Sequence, residues 1–135
     1  MSADNAREQS AGAGAPVIES ISAVTLATSD MARATSFYRT LGFILLYGGA
    51  KASFTSFEVG TGYLNLILVT KSTTPKGPSW GRVIFYVSNV DALYEHAIAL
   101  GLRPESPPRD AEWGERYFHL SDVDGHELSL AKPLK

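Results

Sequence analysis

His119, His126 and Glu127 fall in one short C-terminal stretch, and imidazole and carboxylate are the groups that hold a borderline divalent cation or accept a proton. The stretch reads as two strands joined by Asp122-Val123-Asp124-Gly125, and alternation then decides what the groups can do together. Residues of opposite parity on a strand point to opposite faces, so His126 and Glu127 cannot both enter one site from regular geometry. They are expected to be solvated turn and edge residues, without a metal. His96 has no partner nearby in sequence and reads as a surface or boundary histidine. Nothing marks Glu127, Tyr86 or a histidine as a tuned general base. The chain has no cysteine, which removes thiolate nucleophiles, disulfides and thiolate metal sites. Trp80 and Trp113, the latter followed by Gly114, stand in loop-type segments where an indole could stack a planar or hydrophobic ligand. They could equally close a core edge or a dimer contact.

The elements that position these groups occur twice. Shifting residues 24–43 by 59 pairs Val24 with Val83, Ser29 with Ser88, Leu41 with Leu100 and Gly42 with Gly101. Further on, a shift of 64 pairs Phe54 with Phe118, Val59 with Val123, Leu64 with Leu128 and Leu66 with Leu130. The five extra residues of the second copy are expected in the Pro-rich stretch Arg103 to Trp113. Each copy opens with a short β-rich run and a capping pair, Ser29-Asp30 or Ser88-Asn89, whose side-chain oxygens can satisfy free amides at a helix start. Met31, Ala34, Phe37, Tyr38 and Leu41 recur at helical steps before Gly42, as do Val90, Leu93, Ala97 and Leu100 before Gly101. Strands are predicted at 43–47, 52–58 and 63–69, then at 115–121 and 126–131. Pro104, Pro107 and Pro108 limit pairing of the strand just after the second helix. The predicted fold is α+β, two tandem βαβββ modules with a cleft between them.

Composition bounds what the cleft can meet. With 135 residues and 44% hydrophobic content the chain can build one domain with a real core. A net charge of −2 gives no electrostatic footprint for nucleic acid or an anionic membrane surface, so small molecules or proteins remain as partners. No apolar run approaches the roughly 18 residues of a membrane span. Residues 1–17 are polar and rich in Ala and Gly, and read as a disordered tail without the apolar region of a signal peptide. The expectation is a cytoplasmic protein with a single domain at 18–135, divided into module one (18–70), a linker (71–80) and module two (81–135).

The tandem βαβββ order, the Ser-Asp and Ser-Asn helix starts, the Leu-Gly helix ends and the closing Asp122-Val123-Asp124-Gly125-His126-Glu127-Leu128 resemble the vicinal oxygen chelate superfamily. Glyoxalase I, fosfomycin and bleomycin resistance proteins, extradiol dioxygenases and methylmalonyl-CoA epimerase are among its members. The resemblance covers Ile21 to Pro133 and implies curved mixed sheets around a concave pocket, with helices outside. It also implies a homodimer. Metal-dependent members place His or Gln near the start of each module's first strand and Glu on its last strand. Those positions fall here on Ala23, Arg82, Asn65 and Ser129, which offer no donor, a fixed positive charge and two neutral oxygens. The resemblance therefore implies no metal at this place, and no other cofactor is expected.

Counting in twos from these positions puts Ala23, Thr25, Asn65, Ile67, Arg82, Ile84, Tyr86, Glu127 and Ser129 on the concave face. Val24, Leu26, Val83, Phe85, Leu128 and Leu130 then face the helices. The expected ligand-binding residues are Arg82, Tyr86, Asn65, Ser129 and Glu127, bordered by Trp113 and Trp80. Arg82 could take a carboxylate or phosphate, or form an internal ion pair with Glu127. The function expected is metal-independent binding of a hydrophobic or anionic small molecule, of the glyoxalase/bleomycin-resistance type and without bond chemistry. The alternatives are a glyoxalase-like lyase, isomerase or dioxygenase using a divalent metal or a general base, or a cleft that is only a dimer seam.

Overall fold

The computed structural model describes residues 14–70 and 80–135. The expected linker therefore lies outside the described residues except for Trp80, as does the expected tail up to residue 13. In chain order the elements are β1 (Ala23–Thr28), α1 (Met31–Leu41), β2 (Ile44–Tyr47), β3 (Phe54–Val59), β4 (Gly62–Leu68), β5 (Arg82–Tyr86), α2 (Val90–Ala99), β6 (Arg109–Asp110), β7 (Glu115–Ser121) and β8 (Glu127–Pro133). They form two four-stranded mixed sheets, ordered β1-β4-β3-β2 and β5-β8-β7-β6. In each, the first strand pairs parallel with the last and the others run antiparallel.

The helices start and stop where local chemistry directs. Asp30 caps α1 by accepting from the Arg33 amide at 3.0 Å, and Asn89 caps α2 by accepting from the Ala92 amide at 3.0 Å. Gly42 closes α1 at φ 110°, a left-handed conformation that would strain a residue with a Cβ. All five stripe residues of α1 are buried. In α2 the stripe holds for Val90 and Ala97, but Leu100 is exposed because the helix ends at Ala99 and the chain turns away. Leu102, whose amide donates to the Ala97 carbonyl, packs on the core instead.

The register corrects the repeat. Glu58 pairs with Tyr63 and Ser121 with Glu127, so an offset of 63 relates β3 to β7 while 64 relates β4 to β8. Phe54 is thus the counterpart of Tyr117, and Thr55 that of Phe118. Phe118 is buried and meets Tyr94 of α2 edge-on at 5.5 Å, while Phe54 lies on the opposite, helix-free face. One of the five inserted residues consequently sits in the final hairpin and not in the Pro-rich stretch. That stretch reduces the second strand of module two to the pair Arg109 and Asp110, bonded to Tyr117 and Arg116.

One core serves both modules. Leu26, Leu64, Leu66 and Phe57 meet α1, and Phe85, Leu128 and Leu130 cover the second sheet's helix side. An aromatic series joins the halves, with Phe43 edge-on to Tyr38 at 5.2 Å and to Phe85 of β5 at 5.0 Å. Polar ties cross the same seam. The His126 Nε2 lies 2.8 Å from the Ala27 carbonyl, and the Ser29 amide donates to the Asp124 carboxylate at 3.3 Å. No helix among the described residues is long and apolar enough to cross a membrane.

Candidate functional site

The first strands of the two modules border a cavity of about 530 Å³, within the range that takes a small organic molecule. Its walls are mostly apolar, including Ile21, Ala23, Tyr63 and Ile84, with the Trp80 ring and the charged Arg82 also in the lining. Of the seven expected ligand-binding residues, only Arg82 and Trp80 line it. Tyr86 borders a smaller hollow of about 180 Å³ beside Phe43 and Glu58.

Trp80 is fixed from the second module. Its indole N–H donates to His126 Nδ1 at 3.0 Å, which leaves Nε2 of that ring to carry the proton toward the Ala27 carbonyl. His126 is therefore a seam residue, turned away from Glu127 as alternation requires.

Arg82 and Glu127 are ladder partners on β5 and β8, and the Arg82 Nε donates to Glu127 Oε1 at 2.6 Å. The internal ion pair weighed from the sequence is thus present, and among the described residues the guanidinium's terminal nitrogens have no partner and can meet a second anion. Around this pair the helix-free face of the second sheet gathers charge. His119, opposite Ser129, stands near Glu127 across the ladder, and Glu105, whose amide donates to the His119 carbonyl, arrives from the loop after α2. His119 is pushed below its ordinary pKa first by burial and then by Arg82, with Arg109 adding to the effect and Glu127 and Glu105 opposing it.

The rest of this face is aromatic. Trp113 stacks on Tyr117 with ring centres 5.7 Å apart and donates to Glu115 at 3.0 Å, while the Tyr86 hydroxyl donates to the same carboxylate. That bond raises the Tyr86 pKa above its usual value. Arg109 donates to the Tyr117 hydroxyl and lies over its ring. Trp113 is left exposed on its outer side. Sequence reading missed Glu105, Tyr117, Arg109 and Glu115. Parity with Glu115 and Tyr117 would have found His119's face, but nothing local could place Glu105.

The four positions that the superfamily resemblance marks for metal ligands do not fit a cation. Asn65 donates to Thr25 at 3.3 Å, Arg82 is an ion-paired cation, Ser129 is buried in the ladder, and Ala23 has no donor atom. Asn65 and Ser129 nevertheless occupy equivalent places, Asn65 opposite Thr25 and Ser129 opposite Ile84, so the register read from the repeat holds at this point.

The model of the Glyoxalase/Bleomycin resistance protein/Dioxygenase superfamily matches residues 20–130. TioX from Micromonospora sp. ML1 is similar over 86% of this chain and 100% of its own, at 26% identity and a TM-score of 0.68. A glyoxalase/bleomycin resistance protein/dioxygenase from Nocardioides is similar over 99% of this chain and 95% of its own, at 25% identity and a TM-score of 0.66. A lactoylglutathione lyase from Agrobacterium tumefaciens, 20% identical with a TM-score of 0.67 over 86% of this chain and 95% of its own, shares the fold. No curated protein matches the chain in sequence.

Proposed function

The chain belongs to the Glyoxalase/Bleomycin resistance protein/Dioxygenase superfamily, and from that membership we propose that it binds a small hydrophobic or anionic molecule in the inter-module cleft without needing a metal to do so. The observation that carries this reading is the cavity of about 530 Å³ with apolar walls and a single guanidinium at its edge. Apolar contact supplies affinity there, and the free nitrogens of Arg82 orient a carboxylate or phosphate. The four positions that hold ions in metal-dependent relatives are filled by side chains that cannot, which favours binding over metal-assisted chemistry.

A thermal-shift screen of apolar carboxylates and phosphates tests this, because a ligand that binds only the folded state raises the melting temperature. A ligand-dependent rise that survives excess chelator, is reduced in Arg82→Met, and leaves the ligand chemically unchanged is the expected result. A rise that vanishes with chelator, or conversion of the ligand, would point to a lyase, isomerase or dioxygenase.

A second copy of the chain is the protein partner this reading includes. Ile44, Tyr47, Tyr63 and Ile67 leave the helix-free face of the first sheet exposed and apolar, the kind of surface that a homodimer covers. Sedimentation at micromolar concentration is expected to give twice the monomer mass, and a monomer would remove the dimer from the proposal.

A further inference from the structure

Glu105, His119 and Glu127 come from three separate segments, yet one donor atom from each lies within 4.8 Å of the other two. We propose that these three side chains form a divalent-cation site, displaced along the sheet from the place where metal-dependent relatives hold their ion. The site is additional to the organic-ligand cleft and does not depend on that cleft being used.

The placement has a backbone cause. The Glu105 amide donates to the His119 carbonyl at 3.0 Å, which clamps the loop after α2 onto β7. Pro104 before it and Pro107 and Pro108 after it narrow the conformations this loop can take. Its carboxylate is thereby set beside a ring that already rests against Tyr117, with ring centres 5.0 Å apart. Glu127 enters from β8 on the same face, since Ser121 and Glu127 are ladder partners and His119 lies two residues along from Ser121. Donors bound at about 2.1 Å from a shared ion stand up to about 4.2 Å apart, so the cluster closes on a cation with small side-chain rotations.

Charge and donor type select the occupant. Two carboxylates and one imidazole suit a first-row divalent ion, from borderline Zn²⁺ to the harder Mn²⁺, and leave positions for water. Among the described residues Glu105 makes no ion pair of its own, and Glu127 has committed only Oε1, to Arg82. Imidazole ligates in its neutral form, so the two carboxylates and Arg82 sum to one negative charge. Arg82 thus permits the ion while weakening its hold, which makes this an exchangeable site.

The test is isothermal titration of ZnCl₂ and MnCl₂ into chelator-stripped, tag-free protein. One equivalent is expected to bind. Affinity is expected to fall by more than about tenfold in His119→Gln and in Glu105→Gln, the loss that follows even from disturbing an outer partner of a metal ligand. His96→Gln should bind as the parent does. Arg82→Met, which removes a positive charge at close range, is expected to tighten binding by about tenfold. Circular dichroism confirms that each variant folds. Absence of binding to the parent, or binding that Glu105→Gln and His119→Gln leave intact, overturns the site. Neither outcome touches the chelator-resistant ligand binding proposed above, which is measured with the organic molecule alone.

Discussion

The hydroxyl of Tyr38, on the helix of the first module, donates at 2.6 Å to the carboxylate of Asp122, in the last turn of the second. Both are buried. The other carboxylate oxygen of Asp122 accepts from the amides of Asp124 and His126, each at 2.9 Å, and so shapes the turn that delivers Glu127 to its face. One side chain therefore fixes a hairpin and fastens two modules.

Tyr38→Phe should accordingly lower stability by about 1.5–3 kcal/mol, the range for a hydrogen bond to a charged group whose partner is left unsatisfied. Urea denaturation followed by fluorescence checks this. A loss below about 0.5 kcal/mol would mean that Asp122 finds another donor.

The same pair sets an alkaline limit. Burial, then Asp122, holds the Tyr38 pKa well above its ordinary value of 10.0, while the unfolded chain titrates near that value. Below about pH 10 both states keep the proton and this group adds no slope; above it the unfolded state loses the proton first, and stability falls as pH rises toward the folded pKa. Urea midpoints between pH 8 and 11 are expected to decline in the parent and to decline less in Tyr38→Phe. Parallel curves would assign the alkaline slope to other groups.

Phe118→Ala should cost about 3–5 kcal/mol, as for a fully buried aromatic ring, whereas Phe54→Ala should cost about 1 kcal/mol because Phe54 keeps 37% of its surface exposed. Simple repeat matching treats these two as equivalents. Equal losses would restore that equivalence and contradict the one-residue offset between β3 and β7.

Gly48 sits at φ 84°, and a Cβ built on it would come within 2.3 Å of the Phe54 carbonyl oxygen. Gly48→Ala combines left-handed strain with a clash against backbone, and is expected to lose about 2–3 kcal/mol. A thermal midpoint within a degree of the parent would show that the loop between β2 and β3 rearranges freely.

Ligand contact separates the two tryptophans. Trp80 lines the inter-module cavity and Trp113 lies outside its lining, stacked on Tyr117. For any compound found by thermal shift, Trp80→Ala should reduce the shift and Trp113→Ala should leave it nearly unchanged. The opposite pattern would move the ligand to the aromatic patch of the second sheet.

The sequence by itself determined what depends on neighbours along the chain: the caps at Asp30 and Asn89, the buried stripe of α1, the alternation that turned Leu128 and Leu130 inward, and the opposed directions of His126 and Glu127. Helical and strand periods and turn residues act over a few residues, so they can be read without knowing the partner. Tertiary structure alone decided that Glu105 meets His119, that Ser129 is sealed within the ladder and that Trp80 is held by His126. Each of those rests on strand register or on loop placement between distant segments, where a slip of one residue exchanges one face for the other.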